Sequence, residues 1–67
     1  MEIIAGDIGG TKSWLAWVST AGLSITQVRF EHVYASADFA SAEDLLKRFM
    51  ADAHAPTPDA VCLALPG

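Results

Sequence analysis

A short segment near the start of the chain contains residue types that bind phosphate and a hard cation. It reads Asp7-Ile8-Gly9-Gly10-Thr11. Consecutive glycines lack Cβ atoms and allow positive φ, so backbone N–H groups can approach an anion closely. Thr11 adds a hydroxyl donor, and the Asp7 carboxylate would repel phosphates unless a cation lay between them. The segment therefore has the donors and the charge required for a nucleotide bound with Mg²⁺.

Three other interpretations of this segment can be weighed from its residues. A P-loop has a glycine before its lysine and opens a helix, whereas Thr11 precedes Lys12 here and Ser13–Thr20 alternates like a strand. A dinucleotide-binding fingerprint needs G-x-G-x-x-G spacing, which glycines at positions 6, 9 and 10 do not provide. A Gly-Gly hairpin that binds nothing stays open, although the neighbouring aspartate and threonine favour a binding role.

Two strands are predicted on either side of the segment. Met1–Ile8 is apolar and rich in β-branched residues, which is typical of a buried strand, and the Gly9-Gly10 pair ends it. Ser13–Thr20 alternates with period two, so that Trp14, Ala16 and Val18 lie on one face and Leu15 and Trp17 lie on the other. Because both faces are apolar, we expect this strand to be covered on both sides.

A third strand is predicted at Leu23–Ala35, after a two-residue connector at Ala21-Gly22. Its alternation changes phase around Thr26-Gln27, which indicates a β-bulge. Because the connections between these strands are short, we expect an antiparallel meander.

A helix and a fourth strand follow the meander. Apolar residues recur with helical period at Ala42, Leu45, Leu46, Phe49, Met50 and Ala53. Ser41 and Asp44 occupy the N-cap and N3 positions of a capping-box variant. The helix is predicted to end at His54, before Pro56 and Pro58. Val61–Leu65 is the fourth strand, which can lie parallel to an earlier strand because a helix connects it.

Composition limits the class of protein and its partners. The 67 residues allow one small domain, and they are 52% hydrophobic and 18% charged, which is typical of a globular core. The net charge is −4 and the four cations form no stripe, so duplex nucleic acid and an anionic membrane are not expected partners. The single cysteine and the lack of a basic leader favour a reducing, cytoplasmic location.

The apolar run AVCLALPG continues to Gly67, which suggests a fragment of a longer protein. A single helix would leave one sheet face and the edge beside Val61–Leu65 uncovered. Since proteins normally cover or pair such surfaces, we expect the isolated chain to self-associate.

Three segments together carry a family resemblance. GDIGGTK followed by an apolar strand resembles the first phosphate loop of the superfamily of sugar kinases, actin and heat-shock chaperone ATPases. VYASADFASAEDLLKRF resembles the bacterial glucokinase pattern Y-x-S-x-D-[FY]-x-S-[LA]-E with its apolar helix, and PDAVCLALPG resembles the next strand of that family. The three matches lie in order along nearly the whole chain, so the chain resembles the N-terminal part of a bacterial glucokinase.

The resemblance implies an α/β, ribonuclease-H-like fold of order β-β-β-α-β, with the first strand central and the fourth parallel beside it. It implies that the full-length protein phosphorylates glucose to glucose 6-phosphate with ATP and Mg²⁺, and that residues 1–67 are an incomplete, inactive N-terminal subdomain. The ATP phosphate-binding residues would be Gly6, Asp7, Ile8, Gly9, Gly10 and Thr11, with Asp7 near Mg²⁺ through water.

The chain departs from the family at the edge of this loop. Many bacterial glucokinases have asparagine and arginine where this chain has Lys12 and Trp14, whereas DIGGTK resembles related repressors and open-reading-frame sugar kinases. A sugar-responsive or non-catalytic ATP-binding protein therefore stays open as an alternative. Lys12 could contact phosphate or stay exposed, and Trp14 could pack or stack on a sugar.

The general base, the glucose contacts and the adenine pocket of the family come later than Gly67. The acidic residues of this chain are instead expected in structural roles. Asp38 would serve a turn or cap, Glu43 and Asp52 would lie on the helix surface, and Asp59 would lie in a loop.

Overall fold

The computed structural model describes residues Met1–Leu65 and contains four strands and one α-helix. They are β1 (Glu2–Ile8), β2 (Lys12–Ala21), β3 (Ser24–Ala35), α1 (Ala42–Ala53) and β4 (Ala60–Ala64), with a 3₁₀ turn at Ser36–Asp38. The predicted order β-β-β-α-β is confirmed. The fourth strand begins and ends one residue earlier than predicted. Pro66 and Gly67, at the end of the LALPG segment, lie outside the described residues.

The connector between β2 and β3 also differs from the prediction. Ala21 pairs with Ser24, so the turn consists of Gly22 and Leu23 rather than Ala21 and Gly22. Gly22 has a φ of 62°, in the region that favours glycine, which explains why the chain reverses there.

The four strands form one sheet in the order β3-β2-β1-β4. β1 pairs antiparallel with β2 and parallel with β4, and β2 pairs antiparallel with β3. The parallel neighbour is possible because α1 returns the chain to the same end of the sheet. β1 and β2 are therefore the two central strands, and β1 lies between β2 and the parallel β4, as the resemblance implies.

The hydrophobic core lies between α1 and one face of the sheet. Leu45 and Phe49 of α1 are buried against Ile4, Leu15 and Tyr34 from three different strands. Phe49 lies on the helix one turn after Leu45, so both side chains belong to the same helical face. The apolar periodicity of α1 thus corresponds to a real packing face.

The sheet face opposite α1 is the outer face, and among the described residues no element covers it. Trp14, Val28 and Val33 share this face by strand register, and their side chains are exposed. Ala16 and Val18 of β2 lie on the same face and are buried, so the prediction that both sides of β2 are covered holds at these two residues and fails at Trp14. The alternating sequence indicated correctly that both faces are apolar.

Two β-bulges distort β3 opposite β2. The register shifts once at Thr26, as predicted from the sequence, and a second time at Arg29. Arg29 Nε lies 2.6 Å from Ser19 Oγ and 2.9 Å from Glu2 Oε1, while its guanidinium lies 5.7 Å from the centre of the Trp17 ring. The second bulge thus accompanies an arginine that connects three strands.

Both ends of α1 are capped. The Ser41 hydroxyl accepts a hydrogen bond from the Asp44 N–H at 3.2 Å, which confirms the predicted N-cap. At the other end His54 has a φ of 51°, and the Ala55 N–H donates to the Met50 carbonyl at 3.1 Å, the pattern of a Schellman motif. No helix in residues 1–65 has the length and apolar character needed to cross a membrane.

A hydrogen-bonded pair links the exposed side of α1 to β3. The Tyr34 hydroxyl donates to Asp52 Oδ2 at 2.7 Å, and Arg48 Nε lies 3.1 Å from each Asp52 oxygen. Burial, together with the bond to Asp52, raises the pKa of Tyr34 to about 12. The same hydrogen bond lowers the pKa of the Asp52 carboxyl. Asp52 lies on the helix surface as predicted, but it also fastens the helix to the sheet.

Replacing Tyr34 with phenylalanine should make stability less dependent on pH. The lowered pKa of Asp52 stabilises the fold above pH 3.8, and this contribution is lost as the pH falls through the lower folded value. The raised pKa of Tyr34 stabilises the fold below pH 10.0, and this contribution is lost as the pH rises to about 12. In urea unfolding of the full-length protein, we expect the stability difference between wild type and Tyr34→Phe to be largest near neutral pH.

The matched control is Glu43→Gln, which breaks the highly exposed ion pair with Lys47 on the same helix. Because exposed pairs contribute little, its stability difference from wild type should stay small at neutral pH. A Tyr34→Phe difference that is constant from acid to alkaline pH would contradict the proposed pairing with Asp52.

Candidate phosphate-binding turn

The segment between β1 and β2 forms a tight connection, here called the glycine turn (Gly9–Thr11). The Gly9 N–H donates to the Lys12 carbonyl at 3.1 Å, and Ile8 pairs with Ser13 directly below it. β2 is extended throughout Lys12–Ala21, which includes the segment that a P-loop would need as a helix. The P-loop interpretation is therefore wrong, and the segment is a strand-turn-strand unit.

Gly6 lies inside β1, away from the glycine turn. A Cβ at Gly6 would overlap Leu15 Cδ2 and would lie 3.0 Å from Leu63 Cδ2. The missing side chain thus makes room for two core residues from the neighbouring strands. The structure accounts for Gly6 through packing and does not bring it together with the turn residues.

Gly9 and Gly10 have different surroundings. A Cβ at Gly9 would lie 2.6 Å from the Lys12 carbonyl oxygen, so closing the turn requires glycine there. A Cβ at Gly10 would meet no atom within 4 Å. Among the described residues, the glycine with positive φ is Gly22, so the turn does not use the positive φ that glycine allows. Lack of Cβ atoms is what distinguishes both positions.

The polar residues around the turn are exposed. Asp7 pairs with Trp14 across β1 and β2, which places both on the outer face, and Thr11 and Lys12 are also exposed. Within residues 1–65, the Asp7 carboxylate makes no hydrogen bond or ion pair. Ile8 packs partly against the core, so it can offer a ligand only its backbone. Asp7 and Thr11 therefore present oxygen atoms to solvent on either side of the glycines.

Trp14 is 42% exposed and Lys12 is exposed without an ion pair in the described part of the chain. Exposure is compatible with Lys12 contacting a phosphate or remaining in solvent, and with Trp14 packing on another surface or stacking on a sugar. Trp14 is not packed in the core between the sheet and α1.

The loop before α1 supports the glycine turn from the other side. The Ser36 N–H donates to the Thr11 carbonyl at 3.0 Å, and Ser36 Oγ donates to the Gly9 carbonyl at 2.7 Å. Ser13 Oγ, which is fully buried, lies 2.7 Å from Ser36 Oγ. The loop therefore fixes the turn through Ser36, whereas sequence reasoning had drawn attention to Asp38.

The donors at the turn suit a magnesium nucleotide. Mg²⁺ in nucleotide sites keeps several waters and takes one or two carboxylates together with substrate phosphates. Asp7 has a carboxylate that could serve in this way, and no group of three or more acidic, histidine or cysteine side chains occurs among residues 1–65 that could form an all-protein site. The same stretch encloses no cavity, so the turn lies on an open surface.

Sequence reasoning missed the contribution of Ser13 and Ser36. Ser36 is the serine of the Y-x-S part of the resemblance, so the signal was present in the quoted segment. Its hydrogen bonds to Gly9 and Thr11 join residues far apart in the chain, which neither periodicity nor a local motif indicates.

Comparison with known proteins gives a consistent result. The family model for glucokinase matches residues 4–67. The glucokinase of Nostoc punctiforme is 35% identical over 65 residues, which cover 97% of this chain and 19% of that protein. The glucokinase of Trichormus variabilis is 35% identical over 66 residues, with the same two coverages. The chain spans about a fifth of the length of these curated relatives.

A solved structure shares the fold. The crystal structure of glucokinase from an Antarctic psychrotroph superposes with a TM-score of 0.82 and is 26% identical to this chain. The match covers 98% of this chain and 21% of that one. The four-stranded sheet with its single helix therefore corresponds to part of a glucokinase structure, and it is consistent with the ribonuclease-H-like arrangement.

The different surroundings of Gly9 and Gly10 predict different effects on stability. Gly9→Ala places a methyl group against a backbone carbonyl that cannot move without opening the turn, so it should destabilise by about 1–3 kcal/mol. Gly10→Ala is the matched control, with a cost below about 0.5 kcal/mol because its methyl group meets no other atom of the described chain. Thermal unfolding of the two full-length variants measures both values. Equal losses of stability would contradict this account of the turn.

Proposed function

Because the chain belongs to the glucokinase family, we propose that the full-length protein transfers the γ-phosphoryl group of ATP to glucose, forming glucose 6-phosphate. Residues 1–67 are then an incomplete N-terminal subdomain that carries the ATP phosphate-binding segment Gly6–Thr11. The general base, the hexose contacts and the adenine pocket belong to residues outside this chain. The location is the reducing cytoplasm, where the exposed thiol of Cys62 stays free.

The observation that carries this proposal is the open space above Gly10, between two exposed oxygen-bearing side chains. A side chain at this position would block a close approach to the backbone, and glycine leaves open space there for a phosphate oxygen. The Thr11 hydroxyl adds a donor next to them. Phosphoryl transfer depends mainly on such positioning and on electrostatic stabilisation, which preformed backbone donors provide.

Asp7 would bind Mg²⁺ through a water molecule at the carboxyl end of β1. A magnesium ion held there would supply positive charge that stabilises the phosphates during transfer. The exposed carboxylate has no competing partner among residues 1–65, so it is free to accept hydrogen bonds from the hydration shell of the ion. Gly6 contributes to this segment indirectly, since its packing sets the position of β1.

The assigned activity is tested with the full-length protein. ADP formation, measured directly in stopped samples, should depend on both glucose and ATP, and it should cease when Mg²⁺ is removed with EDTA. Absence of hexose-dependent ATP consumption would overturn the proposed function. Residues 1–67 on their own should show no turnover.

The role of Asp7 is tested with Asp7→Asn in the full-length protein. Loss of the carboxylate should lower kcat/KM for Mg-ATP by about 10–100-fold and raise the Mg²⁺ concentration needed for half-maximal rate. Glu43→Gln makes the same chemical change on the exposed surface of α1 and should leave both values unchanged. An Asp7→Asn enzyme with wild-type Mg²⁺ dependence would exclude a metal-binding role.

We also propose that the isolated 67-residue chain self-associates through its outer face. Val33→Lys places a charge among the exposed apolar residues of this face and should shift the chain toward monomer in sedimentation velocity. Leu23→Lys is the matched control, because Leu23 is fully exposed at the tip of the β2–β3 turn. A monodisperse wild-type monomer would contradict self-association.

A further inference from the structure

A single residue holds two carbonyl groups of the glycine turn. Ser36 donates its N–H to the Thr11 carbonyl at 3.0 Å and its hydroxyl to the Gly9 carbonyl at 2.7 Å. A serine hydroxyl has one hydrogen, and that of Ser36 is used on Gly9. The 2.7 Å contact between the two serine hydroxyls is therefore donated by Ser13, which is fully buried in β2. A chain of hydrogen bonds thus runs from the interior to the turn.

The bond to Gly9 also determines the direction of the next N–H group. A trans peptide holds its C=O and N–H in one plane and pointing in opposite directions. The residues of the structure contain no cis peptide bond, so fixing the Gly9 carbonyl toward Ser36 points the Gly10 N–H away from Ser36. That N–H belongs to the residue whose Cβ position is open.

The peptide between Gly9 and Gly10 needs such a fixed partner. It has a glycine on either side, so neither flanking residue has a Cβ to restrict its rotation. A peptide that rotates freely presents its carbonyl oxygen as readily as its N–H, and a carbonyl repels a phosphate. The hydrogen bond from Ser36 removes this freedom before a ligand binds, which lowers the cost of ordering on binding.

We propose that Ser36 is a positioning residue that orients the Gly9–Gly10 peptide so that the Gly10 N–H faces a nucleotide phosphate. Ser13 holds the Ser36 hydroxyl in the orientation that this requires. The inference rests on the proposed function, since it needs a phosphate at the glycine turn. It adds a residue from the loop before α1 to a site otherwise formed by the segment Gly6–Thr11.

The test uses the full-length protein and three substitutions of serine. Ser36→Ala should raise the KM for ATP and the Kd for the non-hydrolysable analogue AMP-PNP by about 3–10-fold, the range expected for one lost hydrogen bond. The KM for glucose should stay within about twofold, since the proposed role of this peptide concerns the nucleotide phosphate. Ser36→Thr keeps the hydroxyl and should restore nucleotide binding to within about twofold. Ser13→Ala keeps the bond to Gly9 and should have a smaller effect than Ser36→Ala.

The matched control is Ser41→Ala, which removes a serine hydroxyl that caps α1 and does not touch the turn. It should lower the thermal midpoint without changing the KM for ATP. Comparing Ser36→Ala with Ser41→Ala therefore distinguishes an effect of turn orientation on nucleotide binding from an effect of lower stability.

The possible failures are distinguishable. If wild type binds AMP-PNP and Ser36→Ala binds it equally well, the inference is wrong and the proposed function stands. If Ser36→Thr binds as poorly as Ser36→Ala, the hydroxyl is not the active feature and the inference is wrong. If wild type binds no AMP-PNP in calorimetry, both the inference and the proposed function are wrong.

Discussion

The packing of Leu15 and Leu63 into the space over Gly6 positions β1, and the candidate site lies at the end of this strand. Because Gly6 has no Cβ, these side chains from β2 and β4 can occupy the space over β1 on the side of α1. β1 is thereby held between its two partners, with Asp7 directed to the outer face and the glycine turn at its end. Within the GDIGGTK segment, Gly6 thus acts through core packing, while Gly9 and Gly10 form the turn.

Local patterns in the sequence predicted the elements well because each depends on neighbouring residues. The period of the apolar residues and the Ser41 cap predicted α1 at its observed bounds, and the change of phase near Thr26 predicted a bulge in β3. Cover on both faces of β2 was predicted for the whole strand, but Trp14 is exposed while Ala16 and Val18 are buried. Alternation shows which faces are apolar and does not show what packs on them. The Tyr34–Asp52 hydrogen bond was not predicted, because it joins a strand to a helix and depends on how the two elements pack.

The candidate site was predicted in part. The types and order of Asp7, the glycines and Thr11 indicated phosphate chemistry, and the structure places these residues at one strand end. Ser36 could not be assigned from the motif, because it lies 27 residues after Gly9 and meets it only in the folded chain. Short motifs report which groups are available for binding, and distant hydrogen bonds determine how those groups are oriented.

The bulges of β3 have a consequence for how the sheet can be extended. β3 and β4 are the two edge strands of the described sheet. An edge with two register shifts within twelve residues is strongly twisted and offers a poor template for another strand. β4 pairs with β1 without a register shift over Ala60–Ala64. The two edges of the sheet therefore differ, and the β4 edge is the better template for a further strand.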